Sequence, residues 1–232
     1  VNREDHLEIE KKIAAEKALT YISSGMIVGL GTGTTAKYFI ELLGERVQKG
    51  LDITAVPSSE KTASLARELG IKIDTDPRRI IDVDVDGADE IDLNGNMIKG
   101  GGGALWRERV VASNSNMVII IADHTKLVDK IGNFPVPIEI SKFMVNSTLR
   151  HLKSLSEDCS LRDGGRFITD NGNLIVDCSF RHLNNPAETY RLLKSVPGVI
   201  DVGIFLNIAT LAILGQVDLS LKTLTFKKTV RA

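Results

Sequence analysis

The 232-residue chain has few cysteines, no excess of positive charge and no apolar run of membrane-spanning length, and each shortage excludes a class of protein. The two cysteines, Cys159 and Cys178, have neither CxxC spacing nor a nearby histidine cluster. That rules out a zinc knuckle and a disulfide-dense scaffold, and two small core thiols in a reducing compartment are expected. Lysine and arginine number 29 against 30 aspartates and glutamates, a formal net charge of −1 with no local basic block. A nucleic-acid backbone is therefore not the expected partner. The opening segment VNREDHLEIEKK is charged from its third residue and lacks the apolar centre of an export signal, and about 18 consecutive apolar residues occur nowhere. A soluble, cytoplasmic protein without membrane contact is expected. No Gly-x-Ser-x-Gly elbow is present, and no His, Cys and carboxylate set has metal-ligand spacing, so neither covalent nor metal-dependent catalysis is expected.

What remains is an ordinary globular composition, 43% hydrophobic and 25% charged, long enough for one large domain or one plus a smaller one. A helix over 8–23 leads the chain, with Ile9, Ile13, Ala14, Ala18, Tyr21 and Ile22 on one face. Strands at 26–30, 53–56, 71–73, 80–85 and 117–121 alternate with helices beginning near Thr34, Ser59 and Ala104. Such alternation implies a parallel sheet covered on both faces. After Gly132 the rhythm changes. A strand at 136–140, a helix over 142–155, strands at 166–169 and 174–180 joined by Asn171-Gly172, a helix from Pro186 and a strand over 199–206 give the order βαββαβ. The expected architecture is α/β, a Rossmann-like parallel sheet over 1–131 plus 208–232, with a smaller ferredoxin-like α+β domain over 132–207.

The residues that carry chemistry cluster at predicted strand ends. Gly29-Leu30-Gly31-Thr32-Gly33-Thr34-Thr35 joins a strand to a helix, where backbone N–H groups and the positive helix end attract an anion. Its GxGxG spacing, and Val56-Pro57-Ser58-Ser59 closing the next strand, depart from the dinucleotide fingerprint and favour a phosphate monoester. Between Asp82 and Glu108 the chain concentrates acids and glycines. Asp82 and Asp84 alternate with valines and read as strand residues, whereas Asp86 and Asp89 flank Gly87-Ala88 at a strand's carboxyl end, where open α/β sheets bind ligands. Lys99 precedes Gly100, Gly101, Gly102 and Gly103, a run suited to a second anion or to close backbone approach. On the following helix the neighbours of Glu108 at three and four residues are Ala104, Leu105, Val111 and Ala112, surroundings that disfavour a charged carboxylate and suit a general base. Arg107 and Arg109 offer a competing ion pair. Lys126, after the 117–121 strand, is placed to contact a phosphate, while His124 and His151 read as ordinary polar histidines.

Gly-Leu-Gly-Thr-Gly-Thr-Thr-Ala at 29–36, Asp-Gly-Ala-Asp-Glu at 86–90, Lys-Gly-Gly-Gly at 99–102 and Arg-Glu at 107–108 together resemble the A-type ribose-5-phosphate isomerases, and the likeness spans nearly the whole chain. The resemblance implies a Rossmann-like sheet with a ferredoxin-like lid. It also implies interconversion of ribose 5-phosphate and ribulose 5-phosphate in the non-oxidative pentose phosphate pathway, without metal or organic cofactor, by a homodimer or homotetramer. By the same resemblance Glu108 shuttles a proton between C1 and C2 through an enediolate. Asp86 and Asp89 bind sugar hydroxyls and assist ring opening, Lys99 steadies the oxyanion, and Thr32, Thr34, Thr35 and Lys126 hold the phosphate together with Lys11. Near 205–211, where such proteins often carry a small residue and an Asp, this chain has Ile208, Thr210 and Leu211. Competing readings are a sugar-phosphate sensor domain and a related sugar-phosphate deaminase or lactonase.

Overall fold

A computed structural model describes residues 3–180 and 183–227. In chain order the elements are α1 (Arg3–Leu19), β1 (Ile27–Leu30), α2 (Thr34–Gln48), β2 (Thr54–Pro57), α3 (Glu60–Glu68), β3 (Ile81–Asp86), β4 (Glu90–Ile91), β5 (Met97–Ile98), α4 (Leu105–Ser113) and β6 (Ser115–Asp123). They continue with β7 (Val136–Ile140), α5 (Val145–Leu155), β8 (Asp158–Leu161), β9 (Leu174–Ser179), α6 (Pro186–Lys194), β10 (Val199–Val202), β11 (Ile204–Phe205), β12 (Leu211–Gly215) and β13 (Leu221–Thr225).

Two compact units divide the chain, one drawn from 1–88, 107–127 and 207–232, the other from 89–106 and 128–206. The first holds a six-stranded sheet in the order β13-β12-β6-β3-β1-β2, parallel except for β13. Counted along the unit, the parallel strands run 2-1-3-4-5, the flavodoxin-like doubly wound order, which places a topological switch point between β1 and β3. Leu30 pairs with Val85 there, so the two strands end level and both following loops emerge at the same spot. Val28, Leu30, Val83, Val85, Ile119 and Ile121 pack with Phe39, Ile40 and Leu43 of α2 in one core. Ala14, Ala15 and Ala18, fully buried, let α1 lie close to the sheet. At its edge a Cβ on Gly215 would stand 2.3 Å from the Glu10 carbonyl oxygen.

In the second unit β10-β7-β9-β8 form an antiparallel sheet. Counted along the unit this is order 4-1-3-2 with α5 and α6 in the connections, the ferredoxin-like arrangement. The mixed α/β architecture with a separate antiparallel sheet is the one the strand and helix rhythm predicts. The division itself falls elsewhere than the expected 132–207. β4 and β5 pair with β11 in a three-stranded sheet, and Ile98 packs into the second core, so residues 89–106 group with the second unit. At the junction, Thr210 continues strand-like bonding to Val118, giving its N–H to the Val118 carbonyl at 2.9 Å and accepting the Val118 N–H on Oγ1 at 2.8 Å.

Three expectations are corrected. The hairpin partner of β9 is Asp158–Leu161, not 166–169. Asn171-Gly172 makes a local turn instead, with Gly172 at φ +79°. The buried carboxylate of Glu139 holds that turn by accepting from the Thr169 hydroxyl and the Asn171 and Asn173 amides at 2.9, 3.0 and 2.9 Å. Residues 71–73 contribute a single bridge, Ile73 to Ala55, rather than a strand. The cysteines are not separate thiols. Cys159 and Cys178 stand directly opposite one another on β8 and β9, with Cα atoms 4.2 Å apart, and are joined as a disulfide. For a sequence separation of 19, chain-entropy arguments put such a link at about 3 kcal/mol.

Thiol counting checks this pairing. Denatured without reductant, the chain is expected to expose no reactive thiol, and two after reduction; two thiols before reduction would restore the original expectation.

Candidate active site

The switch point of the first unit is built from two loops. β1 runs into Gly31-Thr32-Gly33, and α2 begins at Thr34 with Gly33 as its cap at φ +122°, a conformation open to glycine and strained for other residues. No side chain caps this helix, and its first-turn N–H groups lack carbonyl partners within the helix. The Gly31 N–H bonds the Val85 carbonyl at 2.9 Å. One residue on, the Thr32 N–H donates to Asp86 Oδ1 at 3.1 Å, and the Gly87 N–H reaches the same oxygen at 2.7 Å. Asp86 is 2% exposed, so one buried carboxylate ties the carboxyl ends of β1 and β3 together. A Cβ on Gly31 would lie 1.9 Å from that oxygen. Gly31 is therefore required for space.

The Thr32 hydroxyl turns toward β2 and α3. Its Oγ1 lies 2.9 Å from both Ser58 Oγ and Ser59 Oγ and 3.4 Å from Thr62 Oγ1, and Thr62 Oγ1 donates to the Gly31 carbonyl at 2.8 Å. Sequence reading saw Ser58-Ser59 only as a helix start, and Ser59 does cap α3 by accepting the Thr62 N–H. The signal for the rest is β1–β2 adjacency, which sets these hydroxyls beside the glycine turn. Thr34 is exposed and Thr35 half-buried in the first turn of α2.

Glu108 lies in the first turn of α4 and is 3% exposed, with Leu105, Val111 and Ala112 buried along the same helix. Arg107 reaches Glu60, Nη1 to Oε1 at 2.9 Å, and this bond holds the Glu60 carboxyl below its ordinary range. Asp82 accepts the Ile27 N–H at 2.8 Å at the start of β1. Asp84, 1% exposed, fills the space a Cβ on Gly29 would need, 2.5 Å from its Oδ1.

Two lysines complete the first unit's set. Lys11 bonds Glu8 at 2.6 Å, and Glu8 also receives the Tyr38 hydroxyl at 2.6 Å. These bonds, Lys11 first, lower the Glu8 carboxyl, while the carboxylate raises the Tyr38 phenol. Lys126 closes a short 3-10 turn, His124–Lys126, at the end of β6. Glu10, Asp123 and His124 meet there, a grouping that linear spacing could not disclose, with ligand-type atoms within 4.8 Å of one another. Glu10 Oε2 is 2.7 Å from His124 Nδ1, the length of a charge-assisted hydrogen bond. Two ligands of a tetrahedral zinc would be roughly 3.3 Å apart. The geometry is that of a direct hydrogen bond.

In the second unit Asp89 Oδ2 accepts the Gly101 N–H at 2.7 Å, and a Cβ on Gly101 would fall 2.4 Å from Asp89 Oδ1. Lys99 is 4% exposed, with Nζ 5.7 Å from the Phe205 ring centroid and its own N–H on the Gly203 carbonyl. Gly100 and Gly103 adopt φ +102° and +81°, and a Cβ on Gly103 would strike Phe167. Arg162, which sequence reading missed, donates Nη1 to the carbonyls of Gly100 and Gly101 at 3.0 Å each. Its other nitrogens grip Asp177. At the glycine run two carbonyls are clamped by a guanidinium and one N–H is given to Asp89. Gly102 is exposed beside it.

Comparison with known proteins decides the family. The model of the family described as ribose 5-phosphate isomerase A (phosphoriboisomerase A) matches residues 54–218. A ribose-5-phosphate isomerase A from Thermoplasma volcanium is 47% identical over 207 residues, 87% of this chain and 86% of that protein. The chain belongs to the ribose 5-phosphate isomerase A family. A relative of the same name from Bacillus mycoides is 47% identical over 88% of this chain and 95% of its own. Among solved structures, ribose 5-phosphate isomerase from Plasmodium falciparum superposes with a TM-score of 0.89 at 41% identity, covering 94% of this chain and 98% of its own. A D-ribose-5-phosphate isomerase in complex with phospho-erythronic acid also gives 0.89, at 40% identity over 97% and 100%.

The Gly31–Asp86 packing yields a specific expectation for this family member. Gly31→Ala should displace the Asp86 carboxylate and destabilise the fold by about 1–3 kcal/mol, seen as a lower urea midpoint. An unchanged midpoint with unchanged turnover would show that the two residues do not share that space.

Proposed function

We propose that the chain interconverts D-ribose 5-phosphate and D-ribulose 5-phosphate by general-base proton transfer through an enediolate. The observation that carries this reading is the structural neighbour bound to phospho-erythronic acid. That ligand is a phosphorylated four-carbon acid whose planar, anionic carboxylate resembles the enediolate formed when a proton leaves the carbon next to a carbonyl. An active site that stabilises such a charge more in the transition state than in the ground state accelerates its formation.

In this reading Glu108 takes the proton from C2 of the open-chain aldose and returns it to C1. Lys99 stabilises the developing oxyanion. Asp86 and Asp89 bind sugar hydroxyls and assist opening of the furanose ring. The phosphate is held by Thr32, Thr34, Thr35, Lys126 and Lys11 at the amino end of α2, where free N–H groups and the helix dipole favour a dianion. Base, cation and hydrogen-bonding acids together supply the chemistry of a proton shift, so the reading calls on no metal or organic cofactor. The relatives described above are isomerases by name, which does not favour the sensor, deaminase or lactonase readings.

The proposal includes a homodimer or homotetramer, supported by the exposure of Phe143 (79%) and Met144 (62%) on the second unit. No helix among the described residues is long and apolar enough to cross a membrane. The cytoplasm remains the proposed compartment, and the Cys159–Cys178 link is the feature that runs against it, since reducing compartments keep most thiols unpaired.

Glu108→Gln is the decisive variant. A positioned base contributes roughly 10² to 10⁴ in rate, so turnover of ribose 5-phosphate should fall at least about a hundredfold while phospho-erythronic acid still binds. Near-normal turnover would sink the mechanism. A substrate panel giving deamination or lactone opening instead would sink the activity.

A further inference from the structure

The turn that carries Lys126 is held in an unusual way. None of its three residues is buried, so apolar packing does not fix it. Two buried carboxylates do. Asp123, 2% exposed, accepts the Thr125 N–H at 3.0 Å and the Thr125 hydroxyl. Glu10, 1% exposed, comes from α1 and accepts on one oxygen both the His124 N–H at 3.0 Å and His124 Nδ1 at 2.7 Å. The other Glu10 oxygen is buried without a hydrogen-bond donor among the described residues.

Burying a carboxylate with one oxygen unsatisfied costs free energy. Simple stability of a surface turn does not account for placing it there. What the arrangement gains is position. The Glu10 backbone is pressed against β12 at Gly215, where no Cβ fits, so its carboxylate is a fixed point on the sheet. Through His124 that point sets where the turn, and Lys126 two residues later, can stand. Glu10 also precedes Lys11, so both lysines assigned to the phosphate lie within two residues of a member of this pair.

We propose that Glu10 and His124 are positioning residues for phosphate recognition, holding the Lys126 turn in register with the amino end of α2. The inference rests on the phosphate role given to Lys126 under the isomerase reading. Against a carboxylate acceptor Nδ1 is the donor, which is the Nδ1–H tautomer of a neutral ring.

The test compares His124→Ala, Glu10→Gln and His124→Asn. The asparagine amide nitrogen replaces Nδ1 as donor, and Glu10→Gln keeps the volume of the buried side chain should His124→Ala fold poorly. In His124→Ala and Glu10→Gln, KM for ribose 5-phosphate should rise about tenfold, the scale of one lost charge-assisted bond, with kcat within about twofold, the pattern of lost ground-state binding. Calorimetric affinity should fall by a like factor for phospho-erythronic acid and stay unchanged for erythronic acid, which lacks the phosphate, and His124→Asn should restore it. Unchanged phospho-erythronic acid affinity in a folded variant, equal weakening of both acids, or a loss confined to kcat would each overturn the proposal. Because the binding arm needs no turnover, a wild-type protein that binds phospho-erythronic acid but converts no ribose 5-phosphate would defeat the isomerase reading. The same binding arm would still decide the positioning role.

Discussion

The carboxylate of Asp86 occupies volume that any side chain on Gly31 would need, and the first unit is arranged around that exclusion. Because Gly31 has no Cβ, β1 and β3 can end level and their following loops can close on one oxygen, which takes N–H groups from Thr32 and Gly87. A carboxylate 2% exposed is tolerable only with such donors. Those donors in turn hold the glycine turn at the angle from which α2 starts. Strand order makes the position available, since β1 and β3 are neighbours whose connections leave in opposite directions. The packing of two residues then fixes the geometry of both loops.

The same device recurs. Asp84 lies where a Cβ on Gly29 would go, and Asp89 where a Cβ on Gly101 would go. At these three pairs the acid-rich and glycine-rich stretches are two halves of one solution, Gly29, Gly31 and Gly101 each vacating the space that a carboxylate fills. Conformational freedom is a separate requirement, met at Gly33, Gly100 and Gly103, where φ is positive.

Much of this was legible in the sequence because it is local. Alternating Asp and Val marked β3, glycine turns marked strand ends, and apolar neighbours three and four residues from Glu108 foretold its burial. Relations fixed only by register were not legible. Cys159 and Cys178 face each other because β8 pairs with β9 at that offset, and β8 itself was obscured by Asn171-Gly172, a hairpin signal used here for a loop gathered on Glu139. Arg162 lies some 60 residues from the glycines whose carbonyls it holds. Glu10 and His124 are 114 residues apart, and neither carries a motif. The acid–glycine pairs were visible as composition, while their shared space was not.

This sharing redistributes the work of the threonine turn. Its sequence suggests a nest of free backbone N–H groups, yet the Gly31 N–H is committed to Val85 and the Thr32 N–H to Asp86. The Thr32 hydroxyl is engaged with Ser58 and Ser59. Under the isomerase proposal, then, Thr32 also keeps the turn in shape. Thr34 and Thr35 bring N–H groups from a helix start that no side chain caps, and their hydroxyls add donors. Such a site offers a compact set of donors and one end of a dipole, enough for a terminal phosphate.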